Sequence, residues 1–214
     1  MAATKVTAEI QRITPGLVEV EITGTSPLIV NQFSEKARLM MEKAQQGERV
    51  PKEPKRPEEL FKGAMYLLPD GRHGFIARGF KGAMVSAGRF FNGITMTSLR
   101  QSVFVRGEGP DQLVPLIIDD EPIMRQDPVR NATGVADLRY RPMYEKWGAK
   151  LLIEFVPSVL SVDSVVSLVD AAGIGGVGEW RPTAPKSNGD YGRFAVVPGG
   201  ISIITGDASE KVAA

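Results

Sequence analysis

Residues 171–197 decide the fold: AAGIGGVGEWRPTAPKSNGDYGRFAVV. Its glycines, Gly173 to Gly178, formally satisfy the G-x-G-x-x-G pattern of dinucleotide-binding proteins. That fingerprint needs a strand immediately before the glycines and a helix immediately after them. Here the preceding SVDSVVSLVDAAG predicts a helix, and the following Trp-Arg-Pro does not begin one. No Gly-Lys-Ser/Thr follows, which excludes a P-loop. The pattern therefore indicates a glycine-rich connection between a helix and a final strand.

Two interpretations of this connection stay open. Glycines permit positive backbone angles and let another backbone come close. Arg181, Lys186 and Arg193 flank them, and Trp180 stands beside Arg181. Exposed amides, cations and an aromatic ring suit a phosphate backbone and stacked bases. The alternative is a plain helix-to-strand turn whose Trp180 belongs to the core.

The elements around this stretch predict an α+β fold. Gly16–Gly24, GLVEVEITG, alternates apolar and charged residues as a half-buried strand does. TSPLIVNQF continues as an extended piece, and SEKARLMMEKAQQ predicts a helix capped by Ser34. AMYLLPDGRHGFIAR predicts a hairpin, GFKGAMVSAGRFF a helix, and QSVFVRGE, LVPLII and AKLLIEFVP strands. The SVDSVVSLVDAAG helix has a plausible cap in Ser161, and GRFAVVPGGISII gives the final strand. This order matches a ferredoxin-like or RNA-recognition-motif core, an antiparallel sheet backed by helices.

The sequence of residues 119–147 predicts a long excursion, a segment that projects from this core. The segment DDEPIMRQDPVRNATGVADLRYRPMYEKW is polar, and Tyr140, Tyr144 and Trp147 argue against simple disorder. Loops of this length in compact domains are usually functional or disordered. We expect a β-hairpin here. The other irregular range, 34–64, combines the Ser34-capped helix with a linker rich in proline and charge, GERVPKEPKRPEE.

The amino-acid composition limits the classes of protein to which this chain can belong. The 214 residues suit one domain, 1–214, with insertions, and they are enough to bury a real core without a disulfide or metal. The absence of cysteine excludes disulfides and thiolate metal sites and favours the cytoplasm. No segment has the length of a signal peptide core or a membrane span. A net charge of +1 means that any nucleic-acid site must be a local basic stripe.

Catalytic residues are scarce. The single histidine, His73, follows the turn signature Pro-Asp-Gly and is expected to be a solvent-exposed turn residue. With one histidine and no cysteine, the chain cannot form the usual nucleophile–base pairs or a zinc site. Metal-dependent cleavage would need clustered carboxylates, and Asp119-Asp120-Glu121 is the only dense cluster. We interpret it as a solvated strand end, and we expect a non-catalytic protein without cofactor or metal.

Three stretches together resemble the RAMP superfamily, the repeat-associated proteins of CRISPR effector complexes. They are ITGTSPLIVNQF, FIARGFKGAMVSAGRF and GIGGVGEWRPTAPKSNGDYGRF, and their order and approximate spacing also agree. The resemblance is strongest to the backbone subunit, which has a modified RNA-recognition-motif core and a thumb hairpin and polymerises along a guide RNA. It implies that residues 119–147 are thumb-like. The chain departs from the pattern in its short length and its Trp-Arg-Pro. The stretches ADLRYRP and GEWRP also resemble sequences of phage or prophage proteins.

The resemblance implies roles for individual residues. Arg78 and Lys81 are expected to contact phosphates, and Asn31 is expected to lie near the binding groove. The strand of nucleic acid approaches the backbone at Gly175, Gly176 and Gly178, beside Arg181 and Arg193. The excursion grips nucleic acid or a neighbouring protomer through Arg125, Arg130, Arg139 and Arg141. Met124 or Tyr140 is the expected wedge between bases. The alternative for each arginine is a surface ion pair, for example with Asp127, Asp137 or Glu145.

Three functions follow as hypotheses. The first is a non-catalytic protein that binds single-stranded RNA or DNA and self-associates into a filament or multi-subunit complex, as a CRISPR backbone subunit does, with no membrane partner. The second is a phage protein, either a structural assembly component or an ssDNA-binding recombination protein. The third is a nuclease that depends on Asp119 and Asp120. The sequence does not choose between RNA and DNA.

Overall fold

The computed structural model describes residues 12–48, 54–130, 134–185 and 189–204. The strands are β1 Gly16–Gly24, β2 Leu28–Ile29, β3 Gly74–Ile76, β4 Val103–Arg106, β5 Leu113–Ile118, β6 Ile123–Arg130, β7 Ala136–Tyr144, β8 Trp147–Phe155 and β9 Phe194–Ile203. The helices are α1 Glu35–Gln45, α2 Pro57–Gly63, α3 Ala77–Ala87, α4 Met96–Ser102 and α5 Val162–Gly175, and a 3₁₀ turn covers Gly88–Phe90.

The main sheet is antiparallel and has the order β3-β5-β8-β1-β9, with β4 also paired to β8. The alternating pattern of β1 places Val18, Val20 and Ile22 on one face, where each is at most 1% exposed. Leu151 and Ile153 of β8 are fully buried in the same core. The central strands therefore have one buried face and one open face.

Helices α3 and α5 cover the buried face. Phe80 and Met84 of α3 and Val165, Leu168 and Val169 of α5 enter the core. Ser161 caps α5 as predicted, its Oγ accepting a hydrogen bond from the Ser164 N–H at 3.1 Å. The predicted α+β fold, an antiparallel sheet backed by helices, is confirmed.

The excursion forms a hairpin within a second, three-stranded sheet. β6 and β7 pair antiparallel from Ile123↔Met143 to Arg130↔Ala136. The short β2 pairs with the base of β7 through Leu28↔Tyr144 and Ile29↔Met143. The predicted projecting hairpin is therefore present, and β2 ties its base to the end of β1.

Two helices were not predicted from the sequence. α2 lies in the segment predicted as a linker, because Pro57 is preorganised for a first helical turn, and Glu58 and Lys62 suit the two ends of the helix dipole. α4 begins after Thr95, whose Oγ1 accepts from the Ser98 N–H at 3.1 Å, just before β4. The range 34–64 thus contains α1 and α2, while residues 49–53 lie outside the described residues.

The hairpin predicted around Pro-Asp-Gly is much reduced. It keeps one bridge, Leu67↔His73, while β3 pairs with β5 instead. None of the helices in the described ranges has the length and apolar character needed to cross a membrane.

Candidate nucleic-acid-binding site

A cleft of about 390 Å³ brings together the three sequence stretches singled out above. Asn31 comes from the chain after β2, Arg78 from the first turn of α3, and Arg181 from the loop after α5. The full lining is Asn31, Tyr66, Phe75, Ile76, Arg78, Gly79, Gly82, Ala83, Ser86, Val177, Gly178, Glu179, Arg181 and Thr183. Its volume falls within the range of small-ligand pockets. Segments that are far apart in the sequence thus build one site.

The floor of the cleft is a helix face with almost no side chains. Gly79, Gly82, Ala83 and Ser86 follow the i, i+3, i+4, i+7 spacing that places residues on one side of α3. A Cβ added at Gly82 would contact nothing within 4 Å. The cleft is open because this face of α3 carries only small residues.

The glycine-rich loop forms one wall, and its glycines serve the chain's own packing. Gly176 and Gly178 have φ of +67° and +79°. A Cβ on Gly178 would overlap the Ile29 carbonyl oxygen, and one on Gly176 would lie 2.9 Å from the Tyr191 carbonyl oxygen. The Glu179 N–H donates to the Ile29 oxygen at 2.8 Å. Of the three glycines predicted to approach nucleic acid, only Gly178 lines the cleft, and Gly175 is the last residue of α5.

Gly178→Ala is expected to lower the free energy of unfolding by about 2–3 kcal/mol, because it combines a positive φ with a backbone overlap. Gly82→Ala is the matched control in the same cleft. It lies in open space inside a helix and is expected to stabilise the fold by about 0.5–1 kcal/mol. Urea unfolding followed by circular dichroism measures both. Equal stabilities for the two variants would contradict this account of the loop.

Two arginines supply the positive charge of the cleft. Arg78 is exposed and makes no hydrogen bond or ion pair with any described residue. Arg181 is half-buried, and its Nη1 donates to the Gly178 carbonyl at 2.7 Å. That bond fixes the side chain and leaves the other guanidinium donors for a ligand. Exposed guanidinium donors beside a loop are suited to phosphate.

Tyr66 adds an aromatic ring that sequence analysis missed. Its ring packs edge-to-face on Phe75 with centroids 5.8 Å apart, and both residues line the cleft. Burial raises the pKa of Tyr66, Arg78 opposes this, and Glu179 and Asp111 add to it. The phenol therefore lies in the electric field of both Arg78 and Glu179. No sequence signal distinguishes Tyr66 from an ordinary residue before a turn.

Glu179 places a carboxylate in the same cleft. Its side chain is 41% exposed, and Oε2 lies 3.4 Å from Nη2 of Arg141. Arg141 is only 4% exposed and also donates to Asp127 Oδ2 at 3.3 Å. Glu179 thus joins the cleft to the base of the hairpin.

Two of the predicted hairpin arginines, the buried Arg141 and the half-buried Arg125, bind to groups of the protein itself. Asp127, 2% exposed, accepts from Arg125 Nε at 2.6 Å as well as from Arg141. Arg125 Nη1 also donates to the Tyr191 hydroxyl at 2.7 Å, with the guanidinium 4.8 Å from that ring's centroid. Arg125 and Arg141 are directly opposite across the hairpin, where two like charges would repel without the carboxylate between them. In this arrangement they tie the hairpin to the glycine-rich loop.

The other predicted cations lie outside the cleft. Arg130 and Arg139 are exposed on the hairpin, and Arg130 Nη1 donates to the Gly134 carbonyl at 3.1 Å. Arg193 is exposed where its main chain bonds to Ser26. Lys81 Nζ donates to the Arg100 carbonyl at 2.9 Å and sits 4.0 Å over the Phe104 ring, and burial lowers its pKa. For these residues a role in binding stays a prediction.

The residues predicted to stack on bases or wedge between them also lie outside the cleft. Trp180 is half-buried at a φ of +55°, does not line the cleft, and has a buried Nε1 without a hydrogen-bond partner among the described residues. A positive φ is strained for so bulky a residue. Met124 and Tyr140 are half-buried on the hairpin, and Lys186 lies outside the described residues.

The expectation for His73 was wrong. Its side chain is only 11% exposed, because the ring packs against the buried Tyr144 and Nδ1 lies 2.8 Å from the Tyr144 hydroxyl. Its Nε2 is 3.4 Å from Glu121, which with Asp119 and Asp120 is exposed at the end of β5. Burial and, secondarily, Glu121 raise the pKa of Tyr144. The described residues contain no group of three or more potential metal ligands.

The open face of the main sheet has a different character from the cleft. RNA-recognition motifs stack bases on aromatic residues of this face. Here Arg106 contacts Glu154 at 2.6 Å, and Lys150 lies 3.8 Å from Glu21. Phe104, 40% exposed, is on the edge strand β4 and is covered by Lys81. Charge on this face is balanced, whereas the cations of the cleft are available.

Comparison with known proteins gives similarities of fold. No protein-family model matches the chain, and no curated protein matches it in sequence. One similar solved structure is the type III-B Cmr-beta bound to cognate target RNA, with 13% identity and a TM-score of 0.48 over 89% of this chain and 61% of that chain. Another is Cmr6 from Pyrococcus furiosus, with 12% identity and a TM-score of 0.44 over 87% of this chain and 100% of that chain. The chain spans about three fifths of the length of the first.

Proposed function

We propose that this protein is a non-catalytic, single-strand RNA-binding subunit of a CRISPR-type ribonucleoprotein complex, and that it binds RNA in the cleft between α3 and the glycine-rich loop. The observation that carries the proposal is the convergence of Arg78, Arg181 and Tyr66 on one cleft with an open, small-residue floor. Guanidinium groups bind phosphates, and aromatic rings stack unpaired bases. Together they provide the two elements of single-strand recognition.

The position of the cleft favours a single strand of RNA that runs along α3. Gly79 lies near the start of this helix and Ser86 near its end, so the small-residue floor extends over about two helical turns. Gly82 leaves this path open, whereas the space beside Gly79 is filled by the Phe75 ring. A nucleic-acid strand in this groove passes Arg78 at the start of α3 and Arg181 on the glycine-rich loop.

Assembly with other copies along the RNA is the finer part of the proposal. With a net charge of +1, one protomer has little long-range attraction for a polyanion, so we expect binding to depend on cooperation between protomers. A second groove of about 590 Å³ is lined by apolar residues such as Phe91 and Val159 and by polar residues such as Thr95 and Asp163, and this mixed surface is available for protein contacts. The CRISPR setting follows the resemblance of the three sequence stretches, and the cysteine-free chain suits the cytoplasm.

Binding is expected to increase with RNA length. Fluorescence anisotropy with oligoribonucleotides of about 6, 12, 24 and 48 nucleotides measures this, at low and at moderate salt. The proposal expects apparent affinity to rise more steeply than the number of sites, with nuclease-sensitive particles on size exclusion. The same apparent affinity for all four lengths would contradict the proposal that the protein assembles along RNA. Particles without nucleic acid, unchanged by nuclease, would favour the structural assembly role instead.

A further inference from the structure

Glu179 is out of place in a cleft that binds phosphate. It lines the same cleft as Arg78 and Arg181, and its side chain is 41% exposed there. A carboxylate close to a bound phosphate lowers affinity through like-charge repulsion. Its pairing with Arg141 serves the fold, and the exposed part of the carboxylate is available to a ligand in the cleft.

The acid is held firmly in this position. Its main-chain N–H donates to the Ile29 oxygen at 2.8 Å, and Oε2 faces the buried guanidinium of Arg141 at 3.4 Å. This pairing occupies one carboxylate oxygen. The other, Oε1, receives no hydrogen bond from any described residue. Glu179 therefore lines the cleft with a carboxylate that has one oxygen free of hydrogen bonds from the described residues.

An ionised carboxylate only accepts hydrogen bonds, so its partner in the ligand must be a donor. Phosphates offer none. The ribose 2′-hydroxyl is a donor, and it is the sugar hydroxyl next to the 3′-phosphate in the chain. Arg181 is two residues beyond Glu179, and both line the cleft. The ribose is the group attached directly to a phosphate bound by Arg181, whereas the base edges lie farther along the nucleotide.

Building on the proposed function, we propose that Glu179 is the specificity-determining residue of the cleft. It accepts a hydrogen bond from the 2′-hydroxyl of a nucleotide whose phosphate is bound by Arg181, and so selects RNA over DNA. The 2′-hydroxyl is the group by which proteins distinguish the two nucleic acids. Arg141 acts as a positioning residue, because it orients the carboxylate from the buried side.

The test compares three single strands of one sequence, all with uracil: RNA, 2′-deoxy and 2′-fluoro. The 2′-fluoro strand keeps an RNA-like sugar but cannot donate at that position. Wild-type protein is expected to bind RNA about tenfold or more tighter than either analogue. Glu179→Ala is expected to reduce these ratios to about 1. Glu179→Gln keeps an acceptor oxygen and is expected to retain an intermediate ratio. Thermal melting of each variant separates lost selectivity from lost folding.

Three results would overturn the assignment in different ways. If wild-type protein binds none of the strands, the proposed function fails and the assignment fails with it. If it binds all three strands equally, only the role of Glu179 fails. If Glu179→Ala tightens binding to all three strands by one common factor, the residue is a repulsive charge and not a reader of the sugar.

Discussion

Replacing both Arg78 and Arg181 with alanine is expected to weaken single-strand RNA binding by about 100-fold or more. Hydrogen bonds to charged groups contribute about 1.5–3 kcal/mol each, and two such contacts account for this loss. Both side chains line the cleft and neither forms an ion pair with a described residue. Removing two phosphate contacts from a single strand should also lower the salt slope of log K by about 1.4. Fluorescence anisotropy at several salt concentrations measures both quantities.

The matched control is Arg89→Ala with Arg100→Ala. These arginines are also exposed and remove the same net charge, but neither lines the cleft. The control should change affinity only slightly. An equal loss in the two double variants would show that binding follows overall charge, and the cleft would have no special role.

Asp127→Ala is expected to have the largest effect on stability, about 3–5 kcal/mol. Asp127 and Arg141 are 2% and 4% exposed, and Asp127 accepts hydrogen bonds from both Arg125 and Arg141. Its removal leaves two opposed guanidinium groups without the carboxylate between them. For a chain of this size the melting temperature should fall by roughly 6–20 °C. Differential scanning calorimetry gives this value directly.

Asp137→Ala is the control on the same hairpin. Asp137 pairs with Lys55 at the surface, where their side chains are 34% and 50% exposed, and this contact also lowers the pKa of Asp137. An exposed pair contributes about 0–1 kcal/mol. Similar losses from the two aspartates would contradict the view that the buried network holds the hairpin against the loop.

Much of the fold follows from local pattern. The alternation of Gly16–Gly24 and the caps at Ser34 and Ser161 identified β1, α1 and α5, because these signals depend on neighbouring residues alone. The same local reasoning missed α2, where proline and charge are typical of linkers as well as of helix ends. It could not show that β3 pairs with β5, since strand partners are chosen by packing across the whole chain.

The site was predicted only in part, for a related reason. Motif resemblance selected Asn31, Arg78, Gly178 and Arg181, which the fold brings to one cleft. It could not tell exposed arginines from buried ones, so Arg141 looked like a ligand-binding residue although Asp127 and Glu179 hold it. Tyr66 carries no motif at all, and its role arises only because the chain before β3 passes the cleft. Lys81 is one turn from Arg78 but points toward β4.

Photo-crosslinking with RNA that contains 4-thiouridine, followed by mass spectrometry of the linked peptides, tests the central claim most directly. If the cleft binds RNA, the crosslinks should map to Tyr66 and to the loop from Val177 to Thr183, and they should disappear in the variant that lacks Arg78 and Arg181. Crosslinks that map to Phe104 and the open sheet face, and persist in that variant, would contradict the account. The protein would then bind RNA as an ordinary RNA-recognition motif does, and the cleft would serve another purpose.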